Sequence, residues 1–118
     1  MIHTPIRIDL TYLYSITGGD KNFEQLLLTG TVADVDSIIS GLKGSWEGCD
    51  VAGIRKNAHS LVSLSAIAGM PQVEGWSRKL DQAFSDGVFH PELAVLADNI
   101  ISGWPAAKSQ LEEMLAAS

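Results

Sequence analysis

At 118 residues and a formal net charge of −6, the chain has the length for one buried core and the wrong charge for a nucleic-acid binder, which needs a basic face to displace counterions from phosphates. With 46% hydrophobic and 19% charged residues it reads as a globular chain, not a disordered one. No apolar run approaches the roughly 20 residues that span a bilayer, the first residues lack the pattern of a secretory signal, and Cys49 stands alone, so the expected setting is the reducing cytoplasm.

Residues 1–7 are expected to form an extended lead-in, because Pro5 disfavours helix at Thr4. Asp9 then caps a short helix from Leu10 to Thr17, with Leu10, Leu13 and Tyr14 at helical spacing and Gly18–Gly19 as its stop. His3, in the lead-in, reads as a solvated surface residue. Asp20 caps a long helix from Lys21 to about Leu42. Phe23, Leu26, Leu27, Thr29 or Gly30, Ala33, Ile38 and Leu42 are its expected inner face, with a bend near Thr29–Thr31. Gly41, Gly44 and Gly48 suggest a loop, with Trp46 folded back over the core.

Asp50 caps the next helix, whose stripe of Val51, Ile54, Ala58, Leu61, Ser65 and Ala68 recurs at alternating three and four residues. At about 100° per residue, His59 lies off that stripe, toward water. Arg55, Lys56, Val62 and Ser63 are its neighbours one turn away, and the small residues Ala52 and Ala66 lie two turns away on the same ridge. Gly69 ends the helix, and Pro71 fits the first turn of the following one, Pro71–Ser85, with Val73, Trp76, Leu80 and Phe84 inward. Asp86–Gly87 and His90–Pro91 mark turns, and His90 reads as structural or solvated. The last helix is expected from Pro91 to Ala116, with Leu93, Leu96, Ile100 (or Ile101), Trp104, Ala107, Leu111 and Leu115 inward. Pro105 should kink it, or else divide it at Gly103–Pro105. Trp46, Trp76 and Trp104 read as core and lid residues. No stretch alternates with period two, so the expected architecture is one all-α domain over residues 1–118. It is an antiparallel up-down four-helix bundle with a short extra N-terminal helix.

The segment around His59 resembles the histidine-containing phosphotransfer (HPt) domain of two-component phosphorelays. Ala58, His59, Leu61 and the glycine ten residues after the histidine, Gly69, match that family's motif in register. Val62 stands where the family usually has Lys, and Ser63 where it has Gly. The resemblance runs from Ile8 to about Leu115 and includes IDLTYL, the GGD at Gly18–Asp20, and Leu80–Asp81.

The resemblance implies that His59 accepts a phosphoryl group from a receiver-domain aspartyl-phosphate and passes it to another receiver, with no autonomous kinase activity. It implies a response-regulator receiver domain and a hybrid sensor histidine kinase as partners. The metal ion would sit on the receiver, so no cofactor or metal of this chain's own is expected. Imidazole suits the role, because its ordinary pKa of about 6.5 leaves a nucleophilic nitrogen available at neutral pH. Asp81 is the candidate to orient the ring. Failing that, it is an exposed carboxylate in a weak helix pair with Arg78. Arg55 and Arg78 are candidates for the charge that Val62 does not supply, and Ser63 permits close approach. Val62, Ala66, Ala52 and Lys56 are the candidate docking residues, and a monomer is expected. The alternative is an HPt-like module that docks on a receiver or kinase without carrying phosphate. A bundle with a ligand or metal in its core is the third reading, disfavoured by the lack of inward Glu and His at bundle spacing.

Overall fold

The computed structural model describes residues 5–117. The chain folds into helices α1 (Thr11–Thr17), α2 (Lys21–Glu47), α3 (Val51–Ile67), α4 (Pro71–Ala83) and α5 (Ala94–Ala117). Single 3-10 turns at Phe84–Asp86 and Pro91–Leu93 lie between α4 and α5, and no strand occurs among the described residues. Helices α2 to α5 form the up-down bundle, each packing on two neighbours, and α1 packs on α2 and α3. None of the helices among the described residues is long and apolar enough to cross a membrane.

Local chemistry sets most boundaries. The carboxylate of Asp20 accepts from the amide of Phe23, and that of Asp50 from the amide of Gly53, so both long helices begin at satisfied caps. Gly18, Gly69 and Gly87 take positive φ at helix or turn ends, and Pro71 opens α4. Asp9 acts one residue earlier than expected. Its Oδ1 accepts from the amide (3.0 Å) and hydroxyl (2.6 Å) of Thr11, so α1 starts at Thr11 instead of Leu10. Residues 5–9 form a strap over the α3–α4 turn, pinned by Arg7 N–H to Gln72, Gln72 to the Pro5 carbonyl, and Asp9 N–H to the Gly69 carbonyl. His3 lies outside the described residues.

The core is drawn from all five helices, with Leu13, Val35, Leu42, Ile54, Leu61, Val73, Leu80, Ile100 and Leu111 almost wholly buried. Each such side chain contributes about 1.5–3 kcal/mol. The α3 stripe lies where its spacing places it: Ile54, Ala58, Leu61, Ser65 and Ala68 are buried and Val51 half-buried. The phase of α2 differs from expectation. Phe23 and Leu26 are 45% and 75% exposed, Ala33 is exposed, and Leu27 and Ile38 are half-buried, while Leu28, Thr31, Val32, Val35 and Ile39 face the core. Tyr14 of α1 is also exposed.

The loop expected from Gly41 onward does not form there, and the division at Gly103–Pro105, the alternative to a kink, does not occur. Helix α2 continues through Gly41 and Gly44 to Glu47, because Gly41 faces the Asn57 side chain of α3, which a Cβ there would meet at 3.0 Å. The glycine serves helix approach, and the extra turn carries Trp46 onto Phe84 and Phe89, with ring centroids 5.7 and 5.0 Å away. Helix α5 likewise runs unbroken through Pro105. Pro105 is exposed, so the carbonyl it frees one turn earlier has access to water. Midway along α5, the Trp104 indole donates to Asp36 of α2 at 2.9 Å, and Lys108 lies 3.4 Å from the same oxygen. Trp76 is half-buried.

His90 proves to be structural. Its Nε2 lies 2.9 Å from Asp86 Oδ2 and its Nδ1 3.0 Å from Glu92 Oε1, with the ring edge-on to Phe84. Both nitrogens face carboxylates, which only accept, so the clasp is fully satisfied when the ring is doubly protonated. The hydrogen bond to Asp86 raises the His90 pKa above its usual value, Glu92 adding to it against the opposing effect of burial. Stability from this clasp is therefore full below the unfolded value near 6.5 and lost as pH rises through the higher folded value. The melting-temperature difference between the wild type and His90→Gln should be largest in mild acid and shrink above neutrality. A difference constant with pH would mean that the clasp adds no stability.

Candidate functional site

His59 sits midway along α3 with 78% of its side chain exposed, while Ala58 and Leu61 beside it are buried. The helix is thus anchored on one side and presents the imidazole on the other. Asp81 reaches the ring from α4. Its Oδ2 lies 3.0 Å from Nδ1, and its side chain is only 23% exposed. A carboxylate accepts and does not donate, so Nδ1 is the donor in this contact, and in the neutral ring the lone pair is then on Nε2. The hydrogen bond from His59 holds the Asp81 carboxyl below the ordinary carboxylate value. Arg55 adds to that lowering, and partial burial opposes it.

Arg55, one turn before His59, gives its Nε–H to the other Asp81 oxygen at 3.3 Å. Arg78 is 58% exposed and pairs with Glu74 at 2.9 Å on its own helix, not with Asp81. Val62 is half-buried and Ser63 exposed; with Arg78 and Asp81 they line an open groove of about 640 Å³ beside His59. Asp34, Ser37 and Ile38 of α2 and Gln82 of α4 line the same groove. The sequence reading did not single out Asp34, Ser37 or Gln82, and it placed Ile38 in the core. The three α2 residues do share a helical face, the signal that was available. On the other side of His59, Ala52, Arg55 and Lys56 line a second hollow. Ala66 belongs to neither; it lies in a groove with Tyr12, Gly69 and Glu74.

Charge is unevenly placed. Helices α3 and α4 carry four of the eight basic residues, Arg55, Lys56, Arg78 and Lys79, and only two of the fourteen acidic ones. All four are exposed, so the histidine lies on a net positive face of an otherwise acidic molecule. No group of three or more His, Cys, Asp or Glu side chains among the described residues is arranged to hold a metal ion.

No protein-family model and no curated protein matches the chain. Among solved structures it is similar to the HPT domain of an Hpt sensor hybrid histidine kinase from Shewanella, with a TM-score of 0.69 at 15% identity, covering 90% of this chain and 94% of that one. The helices thus belong to a known architecture: the protein has the all-helical fold of a histidine-containing phosphotransfer domain.

Proposed function

We propose that the protein is a phosphorelay intermediate, accepting a phosphoryl group on His59 from a receiver-domain aspartyl-phosphate and passing it to another receiver. The observation that carries this reading is the exposed His59 ring, held through Nδ1 by Asp81 at 3.0 Å. In the transfer, the Nε2 lone pair forms the bond to phosphorus. The phosphorus–oxygen bond to the receiver's aspartate breaks, and its electron pair stays with that carboxylate. The proton on Nδ1 remains, and the positive charge the ring gains faces Asp81. Little more is asked of the carrier, because phosphoryl transfer depends chiefly on positioning and on charge supplied around the phosphate. The metal ion is assigned to the receiver. The chain itself is a carrier without kinase activity, working between a hybrid sensor kinase and a response regulator in the cytoplasm. The basic surface of α3 and α4 suits an anionic partner face and speeds encounter.

Incubation with a phosphorylated receiver domain tests the proposal directly. Acid-labile, base-stable label should appear on this chain. Tight receiver binding without label would favour a docking module instead.

Arg78 is the residue assigned to the phosphoryl group in place of a lysine at Val62. It lines the His59 groove and is held only by an exposed pair with Glu74, which it can exchange for phosphate oxygens. A partly exposed ion contact is worth about 0.2–1 kcal/mol. Arg78→Ala should therefore shift the phosphoryl equilibrium away from this chain by less than about tenfold, and Val62→Lys should shift it toward the chain. If Val62→Lys instead weakens receiver affinity and leaves the equilibrium unchanged, Val62 is a docking contact and Arg78 has not replaced the lysine.

A further inference from the structure

Asp81 has two carboxylate oxygens, and both are engaged from α3: Oδ2 with Nδ1 of His59 and Oδ1 with Nε of Arg55. Arg55 and His59 lie one turn apart, so one helix grips a single side chain of its neighbour at two points. The other nearby cation, Arg78, pairs with Glu74 on its own helix, not with Asp81. The terminal torsion of an aspartate is soft and two-fold. A carboxylate held only at Oδ2 would swing; held also at Oδ1, it has one orientation. A bare carboxylate next to the nucleophile would also repel an incoming phosphoryl group, and the guanidinium offsets that repulsion.

We infer that Arg55 is a positioning residue for His59: by fixing Asp81 it locks the imidazole in the tautomer with the proton on Nδ1 and Nε2 free. The consequence for transfer rests on the carrier reading; the tautomer itself does not. Arg55 also makes Asp81 a weaker base. The proton therefore stays on Nδ1 after Nε2 is phosphorylated, and the ring remains a good leaving group for onward transfer.

The test reads the ring nitrogens by NMR in protein labelled with ¹⁵N-histidine, at about pH 8, where an ordinary imidazole is neutral. In the wild type the His59 signals should report protonated Nδ1 and bare Nε2. Arg55→Ala should move the population toward the Nε2–H form that an unconstrained histidine side chain prefers, and Arg55→Lys should restore part of the Nδ1–H form. Acceptance from a phosphorylated receiver should slow about two- to fivefold in Arg55→Ala, the range of a partly exposed ion contact. In an Asp81→Asn background, adding Arg55→Ala should change neither readout, because Arg55 acts only through Asp81. An unchanged tautomer in Arg55→Ala, or an equal slowing in the Asp81→Asn background, overturns the inference. The tautomer needs no receiver, so its failure leaves the carrier reading standing. A shifted tautomer in a chain that never takes label upholds the positioning role and removes the carrier.

Discussion

Replacing His59 with glutamine should reduce phosphoryl acceptance to background while the protein melts within a few degrees of the wild type. The first half follows from chemistry: a carboxamide has no lone pair basic enough to attack phosphorus. The second follows from placement. The side chain is 78% exposed and lies off the buried stripe, and its polar contact among the described residues is the one with Asp81. Such a contact is worth about 0–1 kcal/mol, and Gln is a slightly better helix former than His. The comparison variants are His3→Gln and His90→Gln. Both should accept label as the wild type does, since His90 lies in the α4–α5 connection with both nitrogens occupied. Label that persists on His59→Gln, or moves to His90, would overturn the assignment.

What the sequence made legible was the chemistry that acts over a few residues. Asp20 and Asp50 as caps, Gly69 as a stop and Pro71 as a start are local choices, and each appears where its side chain requires. The phase of α2 was not local. Leu26, Leu27 and Leu28 are consecutive and equally apolar, so only packing against α3 and α5 selects Leu28 for the core. Gly41 misled for the same reason. Its role is to admit Asn57 from another helix, which nothing in its own neighbourhood announces.

The candidate site divides in the same way. His59 was readable from its place off the α3 stripe together with the motif register, and Asp81 from its place in the motif of the following helix. The partner of Arg55 was not, because it lies 26 residues away on α4. Glu74–Arg78 is an ordinary pair four residues apart that the sequence does display. The sequence offers Arg78 two carboxylates on its own helix, Glu74 four residues before it and Asp81 three after, and the fold pairs it with Glu74. The α2 wall of the groove depended on the helix phase, and so could not be drawn until that phase was known.

Gly69→Ala should be among the most destabilising single-methyl additions in the chain, lowering stability by about 2–5 kcal/mol. Two effects coincide there. Gly69 has φ +71, a left-handed conformation that costs an L-residue about 1–2 kcal/mol. Its missing Cβ also faces backbone: an alanine methyl would lie 2.7 Å from the Asp9 carbonyl carbon and closer still to its oxygen. A flexible side chain would step aside, but Asp9 is part of the strap, its amide bonded to the Gly69 carbonyl at 2.8 Å. Relieving the clash means moving the strap off the α3–α4 turn, and overpacking of this kind costs about 1–3 kcal/mol more. At about 4 °C per kcal/mol for a domain of this size, the melting temperature should fall by roughly 8–20 °C. Gly18→Ala isolates the first effect, since Gly18 also has positive φ (+61) but nothing within 4 Å of its would-be Cβ. It should cost only about 1–2 kcal/mol. If the two variants melt together, the strap yields freely, and the glycine ten residues after His59 is there for its backbone angle alone.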